Sequence, residues 1–175
     1  MSDEQPQQPA GAGETPQTPP VQITAQYVKD LSFENPNAAQ LLSQNPGSPR
    51  VTVNVDVKTN QIGENLWEVL LTIKGDAKSG EQQAFVVELS YGGVALLSGV
   101  SREQTAPVLL IEVPRLLFPF ARAVISEATR NGGFPPLMIQ PIDFVSMYRR
   151  QIEQLHARQA AGDGETPTMP QTPVS

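Results

Sequence analysis

The sequence predicts an α+β fold: a four-stranded antiparallel sheet followed by a long kinked helix and a second C-terminal helix, assembled as an oligomer. Three observations predict it. Four segments between Gln22 and Tyr91 alternate apolar with polar residues. After Pro107 the alternation gives way to a long apolar run containing prolines. That run carries more apolar surface than one sheet face covers.

The first strand, from Gln22 to Phe33, sets Ile23, Ala25, Tyr27, Leu31 and Phe33 inward, with one irregularity at Val28 and Lys29. Asn35-Pro36-Asn37 ends it, and Asn45-Pro46-Gly47-Ser48-Pro49 closes a connecting segment. In the second strand Val51, Val53, Val55 and Val57 face inward against Thr52, Asn54, Asp56 and Lys58, a strict period of two built from β-branched residues. A polar turn around Gly63 leads to a third strand with Trp67, Val69, Leu71 and Ile73 inward. Beyond Gly80 a fourth sets Phe85, Val87, Leu89 and Tyr91 inward. Short turns make these neighbours antiparallel.

A long helix follows from Pro107 to Arg130, capped at Thr105 and stopped at Asn131-Gly132-Gly133. Pro114 and Pro119 each remove a backbone donor and crowd the preceding turn, so the helix is expected to kink. Val108 to Ile111 and Leu116 to Phe120 make it apolar almost all round, and a symmetric oligomer with these helices in its interface is the simplest way to cover the surplus. The interface candidates are Leu109, Val113, Leu116, Leu117 and Phe120. The last helix begins with Asp143 as N-cap and carries Phe144, Tyr148, Ile152 and Leu155 along one stripe.

The ends differ from this core. Residues 1–20 hold five of the seventeen prolines, and 160–175 repeat the same polar, proline-rich composition, so both read as disordered tails around a domain at 21–159. Five tail carboxylates, on Asp3, Glu4, Glu14, Asp163 and Glu165, have no cation beside them; setting them aside reduces a net charge of −6 to about −1 for the core. A nearly neutral core lacks the positive field that phosphates require, which argues against nucleic acid and anionic membrane as partners. No basic segment precedes an apolar one at the start, and no apolar run is long enough to span a bilayer, so a cytoplasmic protein without direct membrane insertion is expected. The absence of cysteine fits a reducing compartment.

Little in the chain suggests chemistry. His156 is the only histidine and has no carboxylate cluster at metal-ligand spacing, so it reads as a surface residue. Gly92-Gly93 and Gly132-Gly133 belong to no phosphate-cradling pattern and read as a bend and a helix stop. Trp67, Phe85 and Tyr91 could form a ligand box, but their inward phase marks them as core. Neither a catalytic residue nor a cofactor or metal site is nominated, and no enzyme is expected.

Particular strings go further than periodicity. Lys29-Asp30-Leu31-Ser32-Phe33-Glu34-Asn35-Pro36-Asn37 resembles the stretch following the first strand of the SecB family. Leu117-Phe118-Pro119-Phe120-Ala121-Arg122 resembles that family's helix segment, and Gly133-Phe134-Pro135-Pro136-Leu137 with Pro141-Ile142-Asp143-Phe144 resembles its approach to the last helix. The resemblance spans about Val21 to Leu155. It implies an ATP-independent chaperone that holds unfolded secretory precursors translocation-competent and delivers them to the SecA ATPase of the Sec translocase. It also implies a homotetramer, a dimer of dimers, without nucleotide or metal.

By motif match the SecA-docking positions are Asp30, Glu34, Val86 and Glu88. Val86 and Glu88 share the outward phase of the fourth strand, and Asp30 shares parity with Glu34, so geometry permits one acidic patch. The client-groove candidates are Leu41, Leu42, Phe144 and Tyr148, with the connection from Leu97 to Thr105. The family often has a tryptophan before its second strand, where this chain has Asn45 to Arg50. Alternative readings are a SecB-like chaperone of a toxin-antitoxin system, a hot-dog thioesterase and a plain adaptor.

Overall fold

Period-two alternation becomes four strands of one antiparallel sheet: β1 (Val21–Glu34), β2 (Arg50–Gly63), β3 (Leu66–Ser79) and β4 (Gln82–Leu97), in the order β1-β4-β3-β2. The computed structural model describes residues 20–44 and 48–162, without the side chains of 158–162. The expected tails therefore lie outside the described residues except at their inner ends, and α4 (Phe144–Gly162) runs as helix into the second of them.

Two tight turns set the register. Asn65 takes a left-handed conformation, φ 58°, between β2 and β3, and Gly80, φ 59°, does the same between β3 and β4. Asn and Gly tolerate that region at little cost, and such turns suit the twist of a hairpin. The longer path from β1 to β2 crosses between opposite edges of the sheet and includes a short helix, α1 (Ala38–Gln44), where the sequence reading placed only a connecting segment. Leu41 is the one buried residue of α1.

One face of the sheet is the core. Val69, Leu71, Ile73 and Ala77 of β3 and Phe85, Val87, Leu89 and Tyr91 of β4 are buried there, as their phase predicts. Trp67 remains half-buried at the start of β3. In β1 the expected phase fails locally. Register shifts between Ile23 and Ala25 and between Val28 and Asp30 invert the alternation, so Tyr27 pairs with Gly92 on the outer face rather than with the core. Gly92-Gly93, read as a bend, lies inside β4. A Cβ on Gly92 would sit 2.6 Å from the Tyr27 ring, and one on Gly93 would sit 2.6 Å from Leu117. The glycines permit close approach on both faces.

The helical half starts earlier than expected. α2 (Arg102–Pro107) is capped by Ser101, whose side chain accepts from the Gln104 amide while Gln104 reaches back, so the cap is Ser101 and not Thr105. A π-helical turn, Val108–Glu112, joins it to α3 (Val113–Asn131). Pro114 has no N–H to give the preceding turn, and the wider π turn lies directly ahead of it. On α3, Val113, Leu117, Ala121, Ile125 and Thr129 recur every four residues and are fully buried against the sheet.

Thr129 is the buried polar residue of this stripe. Its hydroxyl donates to the Ile125 and Ser126 carbonyls and accepts from the Leu137 amide at 2.9 Å, which ties the connection after α3 back onto the helix. Asp143 caps α4 as expected, accepting from the Ser146 amide at 3.0 Å and its hydroxyl at 2.7 Å. Those bonds hold its carboxyl below the usual range. Leu155, placed on the covered stripe of α4, is instead exposed.

Candidate docking face and client surface

Cross-strand partners of an antiparallel sheet share a face. Glu34 stands opposite Val86, Ser32 opposite Glu88, and Asp30 opposite Ser90. These pairs point away from the core residues Phe85, Val87 and Leu89. All four candidate docking residues, Asp30, Glu34, Val86 and Glu88, thus occupy one contiguous patch on the outer face of β1 and β4.

The register of β3 on β4 extends this patch. Asp76 lies opposite Val86 and Lys74 opposite Glu88, with Lys74 Nζ 3.5 Å from Glu88 Oε2. Asp76 was missed. It shares the phase of Lys74 within its own strand, but only the β3–β4 register brings it beside Val86. Both members of the Lys74–Glu88 pair are about half exposed, so the pair is screened and leaves Glu88 open to another cation.

Lower on the same face, the Tyr27 hydroxyl donates to Glu68 Oε1, and Lys29 Nζ reaches that oxygen at 2.8 Å. Lys29 first, then Tyr27, holds the Glu68 carboxyl below its ordinary value. The hydrogen bond to Glu68, followed by burial and that carboxylate's charge, pushes the Tyr27 phenol up to about 12.

The groove candidates divide. Leu41 is 2% exposed and Phe144 1%, the latter packed edge-on against Phe118 with centroids 6.3 Å apart, so both are core. Leu42 is 45% exposed and lies against Gly133, while Tyr148 is half-buried on α4. The connection after β4 does line a cleft: Val100, Arg102 and Thr105 face Trp67, Leu109 and Leu110 around about 620 Å³. Trp67, at the start of β3, thus lines an open cleft, although its inward phase marked it as core.

The interface candidates divide in the same way. Leu109, Val113 and Leu117 are at most 2% exposed within a single chain and have almost nothing left to offer a second copy. Leu116 and Phe120, 49% and 52% exposed, flank that buried stripe of α3. Among the described residues no helix is long and apolar enough to cross a membrane.

Comparison with known proteins identifies the family. Residues 14–155 match the family described as SecB, preprotein translocase subunit SecB. The chain is 49% identical to the protein-export protein SecB of Bradyrhizobium sp. over 157 residues, covering 88% of this chain and 94% of that one. It is 51% identical to that of Rhodospirillum centenum over 134 residues, covering 76% and 80%. Its fold resembles a SecB-like chaperone of Mycobacterium tuberculosis solved with an antitoxin peptide, at a TM-score of 0.57 and 11% identity, covering 70% of this chain and 91% of that one. The chain belongs to the SecB family of protein-export chaperones.

Proposed function

We propose that this chain is an ATP-independent holdase of the cytoplasm. It binds unfolded secretory precursors, keeps them translocation-competent and hands them to SecA, acting as a homotetramer built as a dimer of dimers. Binding the unfolded state withdraws it from folding by mass action and requires no bond to be made or broken.

The observation that carries this reading is the register that gathers Asp30, Glu34, Val86 and Glu88 on the sheet face that α3 leaves uncovered. Carboxylates around an apolar side chain suit a basic docking partner. Apolar surface for clients lies elsewhere, on Leu42, Tyr148 and the Trp67 cleft, so a client and SecA can be held together. Leu116 and Phe120 supply the surface for a second copy.

The toxin-antitoxin reading draws on the mycobacterial likeness, which at 11% identity speaks for the fold alone, whereas the export proteins share about half of their residues with this chain. Family membership likewise favours a chaperone over a hot-dog thioesterase. The test is light scattering as several denatured, slowly folding proteins are diluted with and without the chain and without nucleotide. Suppressed aggregation of unrelated clients is expected; a chain that protects none of them is not a holdase.

A further inference from the structure

Among the described residues of one chain β1 is an edge strand paired with β4, and its register shifts twice within a few residues. Between the shifts Tyr27 faces outward and lies across β4 at Gly92, the one outward position near it without a side chain. Its hydroxyl ends at Glu68 on β3. Lys29, which has no partner in the β1–β4 register, ends at the same oxygen, 2.8 Å away. Two side chains of the edge strand therefore meet one carboxylate two strands away.

We propose that Tyr27, Lys29 and Glu68 form a brace that positions the docking patch by holding the second register shift of β1, so that Asp30 faces outward; this rests on the SecA-docking reading. A slip of one residue sends every following side chain to the other face. Further along, Phe33 is held independently, stacked 5.5 Å from Phe85 and close over Gly132, and it secures Glu34 beside it. Asp30, next to the shift, depends on the brace.

The charge of Lys29 gives the proposal a sign. A cation that acted only by its charge would weaken the attraction of a basic partner, and removing it would raise affinity. A positioning residue does the opposite. The test is calorimetric titration of SecA into the full-length chain carrying Lys29→Met, Lys29→Arg or Tyr27→Phe, with thermal unfolding and client holding measured alongside.

Lys29→Met is expected to weaken SecA binding about fivefold despite making the chain more negative, and Asp30→Asn is expected to add little in that background, as coupled residues behave. Lys29→Arg restores most of the affinity. Unchanged or raised affinity in Lys29→Met overturns the brace. If Lys29→Met does not fold, Tyr27→Phe, which keeps the ring and alters no charge at neutral pH, carries the same expectation, and unchanged affinity there overturns it. Glu88→Lys separates the two levels: if it leaves SecA binding intact, the docking reading fails, and if it alone weakens binding, only the brace fails.

Discussion

The two faces of the sheet obey different rules although they alternate along the same strands. On the inner face Val69, Leu71, Ile73, Val87 and Leu89 are wholly buried against α3, where close packing makes every methylene count. On the outer face Asp30, Ser32 and Glu34 remain exposed and Glu88 is partly so; around these charged side chains, unlike at Tyr27 and Gly92, shape is loosely constrained. A substitution should therefore declare its face by which measurement it disturbs.

The largest effect belongs to the inner face. Leu117→Ala would open a cavity above Gly93 and is expected to cost about 2–5 kcal/mol in denaturant unfolding, with SecA affinity of the folded fraction unchanged. Thr129→Val is next: it removes the acceptor of the Leu137 amide and should cost about 1–3 kcal/mol, with faster amide exchange at Leu137. Glu88→Lys reverses the comparison. Its stability change should stay within about 0.5 kcal/mol, as for most surface substitutions, while SecA binding falls and client holding survives. A strongly destabilised Glu88→Lys would break the distinction between the faces.

The smallest effect is the pH dependence of the outer brace. Glu68 is held below its ordinary 4.5, so its contribution is present above that pH and is lost as pH falls through the lower folded value. Tyr27 is raised from 10.0 to about 12, so its contribution is present below pH 10 and is lost as pH rises through about 12. Unfolding of wild type and Tyr27→Phe across both ranges checks this; the alkaline decline should be shallower in Tyr27→Phe.

Most of the sheet was legible because β2, β3 and β4 alternate regularly through Val51–Val57, Trp67–Ile73 and Phe85–Tyr91, and their register shifts fall outside those stretches. β1 was legible only in part. The irregularity at Val28 and Lys29 could be seen, but the earlier shift could not, because Ile23, Ala25 and Tyr27 look like an unbroken inward series. In the helical half, Pro107 and Thr105 drew the boundary inward, while the capping box of Ser101 and Gln104 set it six residues before Pro107.

The candidate docking residues came from the family resemblance, and parity within each strand allowed them to share a face. Their meeting with Asp76 depended on strand register, which turns and packing decide together and no single strand records. The groove and interface candidates were chosen by apolarity, which marks core residues such as Leu41, Phe144 and Leu117 as readily as exposed ones such as Leu42 and Leu116. Apolar character alone does not say which side of a helix a neighbour will cover.

Gly92 and Gly93 are where the two faces come closest, with Tyr27 resting on one side of the backbone and Leu117 on the other. In a saturation scan these adjacent positions would look identical, each accepting glycine and little else. Sorting the same variants by phenotype would split them, since crowding at Gly93 would deplete folded protein whereas crowding at Gly92 would leave protein that folds and holds clients but reaches the translocase poorly.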